Sequence, residues 1–406
     1  MEYEAYRLEN GIRVVHQRVT GLIAHVGLII NTGSRDEMAL EHGMAHFIEH
    51  MVFKGTKKRK AYHIMSRLED VGGEVNAYTT KEETCIYASF LKEDYSRALE
   101  LLKDIVFDSI FPEKEIKKEK EVIIDEINSY LDSPAELIFD DFEDLIYKGD
   151  SIGRNILGTP ESLSGFSRKG VIQFMRNHYN TDEMVICCVG DIPGGRFKKS
   201  VNRNFGVIAE NPRKGPRPAL GEYNSSQITS QKDTFQAHCI IGNMGYDLQH
   251  ERRIGLHLLN NIIGGPGLNT RLNMSLREKN GYSYHTESNF SPYSDTGVLS
   301  IYFSSDKTKL ERSRKVVMRE FARLRDQKLG TLQLHRAKRQ LLGQIAISSE
   351  NHDTLMLSMA KSYLVYNKID NLEEIGNKIN RINSEEILEI ANEVLDEKKL
   401  SSLTYI

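Results

Sequence analysis

The chain has 406 residues, 39% hydrophobic and 27% charged, a mixture typical of folded proteins and a length beyond a single hydrophobic core. Its 54 Lys+Arg against 57 Asp+Glu leave a formal charge of −3, which excludes the basic field of a nucleic-acid binder. No apolar run approaches the roughly 20 residues that span a bilayer, so no membrane partner is expected.

In chain order, Met1-Glu2-Tyr3-Glu4 begins the sequence without a signal-peptide core. Residues 24–30 read as a strand, 43–53 as a helix, 75–87 as paired strands and 95–106 as a helix. Pro112 opens a strongly charged helix that runs to Leu131. Cys187 and Cys188 sit in the strand-like run Met184–Gly190; with Cys85 and Cys239 they read as inert buried thiols, the usage of a reducing cytoplasm. Pro212, Pro216 and Pro218 fall within seven residues, so 207–223 reads as an extended linker. The earlier order then recurs: a strand over 237–242, a helix over 255–263, paired strands within 282–303 and a helix over 307–325. The expectation is an α+β fold of two homologous α/β-sandwich units, 1–206 and 224–406, each an antiparallel-rich sheet packed by helices.

The two halves differ in their first helices. One carries His46-Phe47-Ile48-Glu49-His50; the other has His257-Leu258-Leu259-Asn260-Asn261 at the same place. His46 and His50, four apart, share a helix face, and Glu49 lies beside them. Met44, Phe47, Ile48, Met51 and Val52 surround them, so the imidazoles and carboxylate face an interior. A divalent metal is the economical partner for such a set; mutual hydrogen bonding is the plainer alternative. His42 is assigned to the start of the helix. A third ligand should come from elsewhere. On the helix after Pro112, Ile116, Ile123, Ile127 and Tyr130 form the buried stripe, while Glu119 and Glu126, seven apart, run along its margin. One could bind metal and the other support it, or both could pair with lysines.

Residues 43–56, with Gly33-Ser34-Arg35-Asp36-Glu37, Gly72–Thr79, Glu119–Glu126, Gly264–Leu272 and Leu276-Arg277-Glu278, resemble the pitrilysin and insulysin zinc peptidases, especially the mitochondrial processing peptidase branch. The resemblance implies Zn2+ held by His46, His50 and Glu126, with Glu49 as general base and Glu119 in support of catalysis. It further implies substrate binding by Arg277 and Tyr284 and by an edge strand containing Asn76, Ala77 and Tyr78. Pro266 departs from the family's Gly-rich turn at Gly264–Gly267. Larger members carry four such units closed as a clamshell; this chain has two and is expected to supply half, as a homodimer with Arg277 and Tyr284 serving the other copy. The expected function is a zinc endopeptidase acting on short or unfolded peptides. The rival readings are a non-catalytic assembly subunit of the same fold and a heteromeric subunit.

Overall fold

The computed structural model describes residues 3–406. The described residues form two compact units, and neither is contiguous in sequence. The first comprises the described residues up to 128, with 154–219 and 347–369; the second comprises 129–153, 220–346 and 370–406. These units depart from the sequence halves drawn at 206 and 223 in two helical segments, each belonging to the unit of the opposite half.

The first unit is built on a six-stranded sheet: β1 (Glu4–Arg7), β2 (Arg13–Gln17), β3 (Ile23–Ile30), β4 (Glu74–Thr79), β5 (Thr84–Leu91) and β6 (Met184–Val189). Its order is β1-β2-β6-β3-β5-β4, all antiparallel except the β2–β6 pair, which leaves β4 at an edge. One face is covered by α1 (Met44–Met51), α2 (Ala61–Glu69), α3 (Tyr95–Phe107) and α4 (Glu113–Leu131), among others, over a core that includes Val26, Leu28, Phe47, Ile48, Leu102 and Ile123. The opposite face carries Val15, Ile29, Cys85, Val185 and Cys187. Helix His352–Tyr366 closes it with Met356, Met359 and Ala360.

The second unit has a five-stranded sheet of β7 (Gln227–Ser230), β8 (Gln236–Gly245), β9 (Thr286–Pro292), β10 (Gly297–Asp306) and β11 (Ser401–Tyr405), ordered β7-β11-β8-β10-β9. Helices Arg253–Gly264, Leu310–Asp326 and Ser384–Val394 contribute to the core on one face. Helix Pro134–Ile146 lies on the other through Ile138, Phe142 and Ile146. After Gly264 the chain enters a π-helical turn over Asn273–Glu278, marked by Lys279 N–H donating to Met274 O at 3.1 Å. The α+β expectation and the duplicated sheet are both realised. The 207–223 stretch contains no regular element, as its prolines require, but it is not loose: Arg213 and Arg217 tie it into the first unit. No described helix is long and apolar enough to cross a membrane.

Candidate metal centre

Helix α1 starts at Met44 because Gly43 adopts φ +91°, a left-handed geometry that favours glycine. A Cβ at Gly43 would also lie 2.7 Å from Leu157 O. Glycine has no side chain with which to cap the helix. The buried Glu37 carboxylate does so instead, accepting from Gly43 N and Ala45 N at 2.8 Å each. Burial pushes the Glu37 carboxyl up to about 8, against the two N–H donors and Arg154, which favour its ionised form.

From α1, His46 and His50 project side by side with ring centroids 4.6 Å apart. Helix α4 brings Glu126 opposite them: its Oε1 is 3.8 Å from His46 Nε2 and its Oε2 is 3.7 Å from His50 Nε2. These separations are too long for hydrogen bonds and short enough for ligands of one ion. One donor atom from each residue lies within 4.8 Å of the others, making these three a group that could hold a metal. Burial, and then His50, push His46 down to about 4, so its imidazole is neutral with a lone pair to offer. Its Nδ1 is buried without a hydrogen-bond partner among the described residues.

Glu119, seven residues or about two turns before Glu126 on α4, does not join this group. It is buried behind His50, with Oε1 2.9 Å from His50 Nδ1 and Oε2 2.8 Å from Lys54 Nζ. Burial opposes its ionisation, but His50 and Lys54 outweigh that and hold the carboxyl below its ordinary value. The pairing fixes the proton on Nδ1 of His50 and leaves Nε2 facing Glu126. His42 is turned away: its Nε2 lies 2.7 Å from Asn155 O. Glu49 sits on α1 beside the group, with its carboxyl raised by burial and moderated by the Thr79 side chain and His50.

Thr79 ends β4, the edge strand against which α1 packs. On this strand Val75 and Ala77 pack with the core on the α1 side, whereas Tyr78 packs with Tyr87 on the face covered by helix His352–Tyr366. Alternation puts Asn76 on the Tyr78 face, so both side chains point away from the face that carries α1. Arg277 and Tyr284 lie in the second unit. Arg277 is carried by the π-helical turn, its Cζ 5.0 Å from the centre of the largely exposed Tyr284 ring. Two side chains that support the group escaped the sequence reading: Lys54, which holds Glu119, and Glu37, which caps α1. Lys54 alone had a local signal, being four residues after His50 and so on its face.

Two histidines on one helix and a carboxylate from another, beside the edge strand of an open sheet, make a candidate metal centre. Residues 13–160 match the insulinase family (peptidase family M16), and residues 165–341 match the peptidase M16 inactive domain. An uncharacterized zinc protease of Bacillus subtilis is 35% identical over 97% of this chain and 95% of its own length. The mitochondrial-processing peptidase subunit beta of Bos taurus is 29% identical over 96% and 81%. Among solved structures, a protease from Helicobacter pylori superposes with a TM-score of 0.93 at 19% identity, over 100% of this chain and 99% of that one. The chain belongs to peptidase family M16, and zinc is the metal its named relatives carry in their descriptions.

Proposed function

We propose that this protein is a zinc-dependent endopeptidase that hydrolyses short or unfolded peptides within a chamber formed by a homodimer. The observation that carries the proposal is the convergence of His46, His50 and Glu126, with Glu49 beside them and Glu119 behind His50. These three side chains would hold Zn2+, which supplies polarisation of a carbonyl and a water acidic enough to lose its proton near neutral pH.

The chain's own residues do the rest. Glu49, partly desolvated and with its carboxyl raised, takes the proton of the attacking water and returns it to the departing amine. Glu119 and Lys54 hold the His50 ring in one tautomer and one orientation. The free edge of β4 accepts an extended peptide through backbone hydrogen bonds, which selects for unfolded chains and asks little of their sequence. Arg277 and Tyr284 of one copy hold substrate at the metal centre of the other. Four buried cysteines without disulfides suit a reducing cytoplasm.

The test is zinc content per chain beside chelator-reversible cleavage of an unstructured peptide library, with Glu49→Gln as control. One zinc per chain with cleavage lost in the control supports the proposal. Zinc bound without any cleavage assigns the chain to a non-catalytic role in an assembly.

A further inference from the structure

Between β3 and α1 the chain runs through Asn31–Gly43 with only short 3-10 turns, yet charged side chains are buried along it. Its path is set first by backbone. Ser34 N donates to Thr80 O at 3.1 Å and Arg35 N to Lys81 O at 2.8 Å, which pins the segment to the turn joining β4 to β5. The approach is so close that a Cβ at Gly33 would lie 2.3 Å from Thr80 O.

Three consecutive side chains then reach in three directions. Arg35 bonds Glu82 Oε1 in that same turn at 2.6 Å, both residues being buried. Asp36 receives Arg217 at both oxygens, 3.0 Å to Oδ1 and 2.9 Å to Oδ2, and Arg213 at 3.1 Å. Glu37 caps α1 at Gly43 N and Ala45 N. Arg217 closes the set by donating to Glu82 O at 3.0 Å and lying 3.5 Å from Glu82 Oε1. Buried charges such as Arg35, Asp36, Glu82 and Arg217 are tolerated only as a mutually satisfied set, so moving one displaces the others. Glu37, next in the chain to Asp36, carries that displacement to the start of α1.

We propose that Arg35, Asp36 and Glu37 form a positioning joint that sets α1 against the edge strand β4, and that Arg217, from the proline-rich stretch, locks it. The catalytic part of this inference rests on the peptidase reading above. A peptide bound along β4 is then presented to Glu49 at a height fixed by this joint, and small errors in such placement cost rate more than binding.

The experiment uses the full-length chain with Glu37→Gln and Arg217→Gln. Expected for both are a kcat lower by roughly tenfold or more with KM within about twofold, and zinc affinity weakened by roughly tenfold in chelator competition. Amide hydrogen exchange is expected to accelerate in 33–51 and 74–84 and to stay unchanged in helix Gly194–Phe205. Unaltered exchange in α1, or acceleration spread evenly through the first unit, overturns the joint. Exchange and zinc competition read the joint even where the wild-type chain cleaves nothing, so failure of the peptidase reading is separately visible.

Discussion

The Nδ1 atom of His50 lies 2.9 Å from Oε1 of Glu119, whose other oxygen is 2.8 Å from Lys54 Nζ. Glu119 therefore orients an imidazole of the candidate metal group without itself joining that group. Glu119→Gln keeps the shape but loses the charge that answers Lys54. It should weaken zinc affinity or activity by roughly 10–100-fold, measured by chelator competition and initial rates.

Glu49 stands outside the ligand group. Glu49→Gln should lower peptide hydrolysis by roughly 10²–10⁴-fold while zinc stoichiometry stays at the wild-type level. Loss of zinc along with activity would make Glu49 a ligand and overturn the assignment of roles.

A zinc ion held by His46, His50 and Glu126, as proposed, would bind the folded chain and bridge α1 to α4, and should therefore raise thermal stability. At a free concentration a hundred times its dissociation constant the gain is about 2.7 kcal/mol, read as a higher melting midpoint. His46→Ala should abolish that rise, and a rise that persists would place the ion elsewhere.

Sharing of residues between copies has a direct test. Glu49→Gln and Tyr284→Phe chains, each inactive or nearly so alone, should regain part of the wild-type rate when mixed and re-equilibrated. No recovery, with mixed dimers verified by mass, means that Tyr284 serves its own chain or none.

In the second unit, burial, aided by Arg253, pushes His257 down to about 4. The folded chain thus refuses a proton that the unfolded chain accepts below about 6.5, so this group costs stability as pH falls from 6.5 towards 4. With allowance for partial exposure the loss is on the order of 2 kcal/mol. His257→Gln should flatten the acid side of the stability profile in urea melts; an unchanged slope would mean that other groups govern it.

What could be read from the sequence was mostly local. The pairing of His46 with His50 follows from four-residue spacing, and the strand expected at 24–30 is β3, Ile23–Ile30. The first helix is shorter than the expected 43–53, because Gly43 turns left-handed before it and regular helix ends at Met51. Periodicity put Glu119 and Glu126 on one helix margin but could not say which met the histidines; that depends on how α4 lies against α1. Helices Pro134–Ile146 and His352–Tyr366 show why domain limits were harder. Each looks like a continuation of its own half, and only the sheet face it covers reveals the exchange. The cap supplied by Glu37 is likewise a contact across an irregular loop, with no periodic trace.

That exchange bears on how the gene can be cut. A fragment ending in the proline-rich stretch would lack Met356, Met359 and Ala360, and its sheet would present Ile29, Val185 and Cys187 bare to water. The complementary fragment would want Ile138 and Phe142 in the same way. Neither half is a transferable module, so a cut at the apparent midpoint leaves each product with an uncovered apolar sheet face and a tendency to aggregate.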